Sequence, residues 1–492
     1  MDFNFAARIS GMVAAIEGFE SMNPTDLAFT SALEQAQLIR RQEISPLELT
    51  QLYLDRIQRL DSQLGSFFTV AADQALADAT AKTEQLVKAG SELPPFFGVP
   101  ISIKDLNSVA GMRCTYGSKV MLNNIATYDD AVTTRIKAAG FVILGKTATP
   151  EMGSLPYTEP EAFPPTRNPW NLNFTAGGSS GGAAASVAAG LSAIAHGSDG
   201  AGSIRGPAFC CGLVGIKPAR GRVSYAPIGD ALAGAAVNGT LGRTVADAAA
   251  LLDVMSGQVM GDPYWLPDPD LPFVQVAQRS AQEGVRPLRI AFSTEISPIG
   301  EADPICRQAV LDTVQQLEAL GHQLEPGCPD CSELVEPFTL IWRTSVSAFG
   351  IPSEAMQPFN RWLYEHADTS GDYQRAIWAM QIFARRAVAF FARYDALVLP
   401  VYLHPTVRVG EWASLSPSET LAKIIHWIAP CPLANAAGLP AITVPTGFSP
   451  DGLPIGIQIV GCPADEATVI ALAAQLEAAN PQNHHRPAFA EN

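Results

Sequence analysis

Two glycine–serine segments constrain this chain more than any other feature. Gly177-Gly-Ser-Ser-Gly-Gly182 and Gly197-Ser-Asp-Gly-Ala-Gly-Ser203 place Ser179 and Ser203 24 positions apart. A flexible connector of this composition would lead away from a core. Here Gly182 runs at once into residues 183–195, an apolar stretch of small side chains interrupted by Ser and Gly. That stretch is too short to cross a bilayer and reads as a buried helix. Both turns must therefore sit against packed structure. A chain of 492 residues with 47% hydrophobic residues can supply it.

Short elements alternate around the turns. Apolar spacing predicts helices over residues 26–40, 45–60 and 71–89. Ser45 and Glu48 form a capping-box pattern, with Pro46 at the first helical position. Residues 97–103 read as a strand ending at Lys104. Residues 129–139 read as a helix stopped by Gly140, 141–144 as a buried strand, 168–182 as one long loop and 194–196 as a short strand. Further on, 288–292 and 396–399 read as strands and 303–320 as a helix. Residues 441–445 and 455–460 form a strand pair turned by Asp-Gly within 449–452, and 466–478 close the chain as a helix. This alternation argues for an α/β layered architecture. Residues 1–25 read as an N-terminal extension and 26–487 as the domain. Within it, residues 255–430 are rich in aromatics and either shape a pocket or pack helices on the sheet.

Composition removes several function classes. Lys and Arg number 32 against 48 Asp and Glu, a formal net charge of −16. With no basic stripe to offset it, nucleic acid is not an expected partner. Residues 1–22 lack the basic head, apolar run and small-residue cleavage site of a secretory signal, and no stretch of about 18 apolar residues predicts a membrane span. Eight cysteines in a long chain of this kind fit reduced thiols and a cytoplasmic location. Cys328 and Cys331 form a CxxC without the second pair of a zinc ribbon, and Pro326-Gly327 places it in a loop. No metal and no cofactor are expected, and the sequence assigns that pair no role. It does not fix the oligomeric state and leaves a homodimer open.

Two motif matches fail on mechanism. Gly140 to Thr147 satisfies the letters of a P-loop, but the strand lies between its glycines and a helix precedes them, leaving no open phosphate cradle. Gly178-Ser-Ser180-Gly-Gly182 matches a G-x-S-x-G nucleophile elbow centred on Ser180, yet the polar residues before it do not read as the strand an elbow requires. An α/β-hydrolase using Ser180 stays as an alternative.

The combination that carries chemistry joins Lys104, at the end of an apolar strand, to the two serine turns. Amide hydrolysis needs a nucleophile, a base that later protonates the leaving nitrogen, and donors for the oxyanion. A lysine is a base only when neutral, which burial against apolar neighbours such as Ile101 and Ile103 favours. Glycines around Ser203 leave backbone N–H groups uncovered. Gly200, Ala201, Gly202 and Ser203 can then aim donors at one oxygen, each worth roughly 3–4 kcal/mol in a transition state.

At these residues the chain resembles the amidase signature family. The likeness runs from about residue 31 to 487 and is densest over 168–224, with Gly-Gly-Ser-Ser-Gly-Gly, Gly-Ser-Ile-Arg and Gly-Leu-Val-Gly-Ile-Lys-Pro. Asn435-Ala-Ala-Gly-Leu-Pro440 and Leu453-Pro-Ile-Gly-Ile-Gln458 extend it. The resemblance implies a single large α/β/α domain with a mixed central sheet covered by helices on both faces. It implies Ser203 as nucleophile, Ser179 as bridge after a cis Gly178–Ser179 peptide, and Lys104 as terminal base. Ser180, Asp199 and Arg205 would support the loops. Ala148, Ala176, Ala201, Gly206 and Ala219 depart from residues common in the family, and none removes a triad member. Residues 158–163 and 166–170 look closer to bacterial members such as the 6-aminohexanoate cyclic-dimer hydrolases than to mammalian fatty-acid amidases.

The expected activity is hydrolysis of a linear or cyclic carboxylic amide, with a small-molecule amide as partner and its two halves unspecified. A glutaminase-type A subunit of an amidotransferase complex is the enzymatic alternative, and an inactive scaffold on the same fold is the non-enzymatic one.

Overall fold

The computed structural model describes residues 23–88, 93–482 and 484–491. Its frame is an eleven-stranded mixed sheet. In chain order the strands are β1 (Phe67–Val70), β2 (Pro100–Lys104), β3 (Val142–Thr147), β4 (Ile194–Asp199), β5 (Val214–Lys217), β6 (Val237–Gly242), β7 (Arg289–Phe292), β8 (Gln323–Pro326), β9 (Ala396–Pro400), β10 (Ala441–Phe448) and β11 (Pro454–Gly461). Across the sheet they run β1-β3-β2-β4-β6-β5-β10-β11-β9-β7-β8. Strands β3, β2 and β4 are mutually parallel, as are β9, β7 and β8, and the strands between them are antiparallel. Helices cover both faces, giving the α/β/α arrangement expected.

The central strands are buried along their whole length. Even the polar Ser102 and Lys104 of Pro100-Ile-Ser-Ile-Lys104 are enclosed, as are the isoleucines that alternate with them. One continuous apolar core reaches from Ala28 to Leu476. The helix Gly181–Ala188 is buried at every residue. It lies so close to the strand layer that a Cβ on Gly182 would stand 2.2 Å from the Ala148 nitrogen. Small residues are required there because backbone meets backbone.

Most expected elements are present, with instructive differences. Helix Pro46–Leu64 has the capping box in both directions and ends at Gly65, whose φ of 68° any side chain would disfavour. The helix expected over 26–40 is two, Pro24–Phe29 and Ala32–Arg40. The break is stabilised from a distance: the Asp247 carboxylate accepts from the Ala32 and Leu33 N–H groups, both at 3.0 Å. The first of these helices begins before the expected boundary at residue 26, and residues 1–22 of the extension lie outside the described residues. The loop expected over 168–182 contains a ribbon, Arg167–Asn168 with Asn171–Thr175. Its turn is fixed by the Asn168 side chain accepting from Trp170 N at 3.0 Å. Strand β4 continues through Gly197-Ser198-Asp199, because β6 pairs with it residue for residue to Asp199↔Val237.

Candidate active site

The sheet brings Lys104 and the second serine turn together. Strands β2 and β4 are parallel neighbours, with Ile103 opposite His196, so their carboxyl ends emerge side by side. Lys104 closes β2 and Ser198 nearly closes β4. Lys104 Nζ is hydrogen-bonded to Ser179 Oγ at 2.7 Å and lies 3.0 Å from Ser198 Oγ and 3.2 Å from Ser198 O. The amine is fully buried. Burial lowers its pKa to about 7, against a partial upward pull from Asp199. Among the described residues no carboxylate forms an ion pair with it. Its chain neighbour Asp105 is instead paired with Lys146 at 2.9 Å.

The first serine turn is clamped by its neighbours. The Gly178–Ser179 peptide is cis. Thr158 Oγ1 donates to Gly177 O at 2.9 Å, and a Cβ on Gly178 would lie 2.6 Å from the Tyr157 nitrogen. Ser179 is buried and lines a cavity of about 740 Å³ that Ser203 also lines. Ser180 fastens the two turns to each other. Its N–H donates to Ser203 O (3.1 Å), its hydroxyl donates to Ser198 O (3.2 Å), and it accepts from Ser198 N (3.3 Å). A hydroxyl so engaged with main chain, with no histidine hydrogen-bonded to it, lacks the partner that an elbow nucleophile needs. The strand before it, Asn171–Thr175, belongs to the separate ribbon and not to the central sheet.

The second turn is organised by Asp199 and Arg205, both fully buried. The Asp199 carboxylate accepts from Gly202 N (2.7 Å), Ile204 N (3.1 Å) and the Arg205 guanidinium (3.0 Å to both Nε and Nη2). Burial alone would raise its pKa, but Arg205 outweighs this and holds it well below the usual carboxylate range. Of the four expected oxyanion donors, Gly202 differs from the others in that its N–H is engaged by Asp199. The N–H groups of Gly200, Ala201 and Ser203 have no hydrogen-bond acceptor among the described residues. The same holds for Ser203 Oγ, which is half-buried at the cavity wall.

Three further residues complete the assembly. Ser198 supplies two of the contacts to the Lys104 amine. Asn435 donates to Asp199 O (3.0 Å) and Oδ1 (2.9 Å), and Gln458 accepts from Arg205 Nη1 at 2.8 Å. Ser198 was legible only as part of its glycine-rich segment. The other two were legible as fragments of motifs, and their role depends on a contact more than 200 residues away in the chain. A second buried lysine, Lys217, also has its pKa lowered by burial to about 7. It donates to Pro218 O and does not line the cavity, so depressed basicity alone does not mark the site. In the rejected P-loop segment, residues 142–147 form β3 and Lys146 is buried in its ion pair. Cys331 lines the cavity, and Cys328 lies in the loop before it.

The family model for amidases matches residues 48–470. This chain belongs to the amidase signature family. It is similar to a putative amidase of Synechocystis sp., 53% identical over 93% of this chain and 90% of that protein. It is also similar to the 6-aminohexanoate-cyclic-dimer hydrolase of Paenarthrobacter ureafaciens, 35% identical over 95% and 98% of the two chains. The solved structure of a 6-aminohexanoate cyclic dimer hydrolase with substrate superposes with a TM-score of 0.86 at 34% identity, covering 94% of this chain and 99% of that one. The protein is thus an amidase, an enzyme of the class that hydrolyses amide bonds. The matched segment of this amidase contains the whole sheet and all three of Lys104, Ser179 and Ser203. Among its described residues no helix is long and apolar enough to cross a membrane.

Proposed function

We propose that this amidase cleaves its substrate through an acyl-enzyme on Ser203, with Ser179 as proton bridge and Lys104 as terminal base. The observation that carries the reading is an amine sealed from water, without a carboxylate ion pair among the described residues and hydrogen-bonded to a serine that shares a cavity with Ser203. In its neutral form that amine has a lone pair for the Ser179 hydroxyl proton. As Ser203 Oγ attacks the amide carbonyl, its proton passes to Ser179 Oγ, whose own proton passes to Lys104 Nζ. The free N–H groups of Gly200, Ala201 and Ser203 are the available donors for the oxyanion. The ammonium of Lys104 then returns a proton by the same path to the leaving nitrogen as the C–N bond breaks. Water enters, is deprotonated along that path, and releases the acid.

Asp199, Arg205 and Ser180 act as positioning residues, since they fix the backbone of both turns. The aromatic-rich stretch 255–430 serves as a pocket wall through Ile296, Phe338, Trp342 and Ile424. All eight cysteines are unpaired, which suits a reducing cytoplasm. The test is Ser203→Ala. It should abolish amide turnover and covalent labelling by a fluorophosphonate while the far-UV spectrum and melting midpoint stay at wild-type values. Wild-type rates from that variant would overturn the assignment.

A further inference from the structure

The cavity at Ser203 is apolar and carries charge of one sign only. Leu334, Phe338, Trp342, Ile424 and Ile428 form part of its wall. Apolar surface continues to the mouth, where Tyr128, Ile228 and Phe349 line it while 48%, 54% and 43% exposed. Among the described residues that line it, the charged side chains are Asp130 and Asp230, and none is Lys, Arg or His. Asp130 Oδ2 accepts from Asn107 Nδ2 (2.9 Å) and Ser108 N (3.0 Å). Asp230 is exposed and has neither hydrogen bond nor ion pair among the described residues. Both carboxylates lie near Tyr225, whose phenol is pushed up to about 12 by burial and by these two charges, so they share one stretch of wall.

A carboxylate on a substrate entering this space would lose water without gaining a cation, and it would face two like charges. The Lys104 amine does not serve as that cation: it lies behind Ser179, outside the cavity lining, and must be neutral to act. We infer that the cavity admits amides whose acyl and amine parts are uncharged and largely apolar, and rejects carboxylate-bearing amides, with Asp230 as a specificity-determining residue. This rests on Ser203 being the acylated group. It also sets the protein apart from a glutaminase, because glutamine carries an α-carboxylate that would find no counter-ion here.

The experiment compares hexanoyl para-nitroanilide with the mono-para-nitroanilide of adipic acid, whose chain ends in a carboxylate, at about pH 8. The expected kcat/KM favours the neutral compound about 100-fold, and Asp230→Asn narrows that ratio about fivefold. Equal rates for the two, with Ser203 acylated by both in mass spectrometry, would overturn the selectivity and leave the Ser203 reading standing. An unchanged ratio in Asp230→Asn would remove Asp230 from the role. Absence of Ser203 acylation with turnover of either compound would remove the reading beneath it.

Discussion

If Lys104 is the base, acylation follows the fraction of its amine that carries no proton. With a pKa near 7, about half of the molecules hold a neutral amine at neutral pH. An amine left at 10.5 would be neutral in roughly one molecule in three thousand. Burial thus supplies about a thousandfold more competent base, equivalent to roughly 4 kcal/mol of barrier. The sign is fixed: the protonated form is inactive, so rate must climb as pH rises. The assay is kcat/KM for a neutral anilide from about pH 5 to about pH 9. We expect a tenfold rise per pH unit at low pH, a bend near 7 and a plateau above it. A limb centred near 10.5, or a rate that falls as pH rises through 7, would refute the role assigned to this amine.

Three further outcomes follow from the same contacts. Lys104→Met should abolish turnover yet stabilise the fold near pH 7 by about 4 kcal/mol, because the unfolded chain binds a proton that the folded lysine has partly given up. The gain should vanish toward pH 10.5, and parallel urea midpoints for both proteins at about pH 7 and about pH 10 would contradict it. Asp199→Ala leaves the Arg205 guanidinium buried without its carboxylate and should cost about 3–5 kcal/mol in urea denaturation; a loss under 1 kcal/mol would mean that the pair does not hold the turn. Gly206→Ala places a Cβ 1.6 Å from Tyr402 Oη, so it should cost about 1–3 kcal/mol and raise KM by displacing a cavity wall. Unchanged melting and unchanged KM would show that Tyr402 moves freely.

The Gly206 position shows how far the sequence could be read. Its departure from the family pattern was visible, but only the fold shows the Tyr402 ring occupying the space. Lys104 and the two serine turns were legible because glycine clusters and a lysine ending an apolar run are local signals. Strand β4 runs past the expected 194–196 because its pairing with β6 is non-local, whereas Gly-Ser-Asp has no strand periodicity. Strands β5 and β6 likewise depend on non-local pairing. The Gly202 contact is closer to the surface of the sequence, since an aspartate three residues before a glycine N–H is well placed to accept from it. The cavity wall between residues 296 and 432 was not legible residue by residue. Leu, Ile and Phe facing a cavity are the same letters as those facing a core, and only topology separates them.

The enclosure of Lys104 also decides how the protein meets reactive small molecules. Its amine is absent from the cavity surface, with Ser179 and Ser198 standing in front. Aldehydes and activated esters that fill the cavity meet hydroxyl groups and no accessible lysine, so borohydride treatment has no imine to reduce there. Inhibitors designed as oxygen-directed electrophiles, boronic acids among them, have a foothold that amine-directed reagents lack.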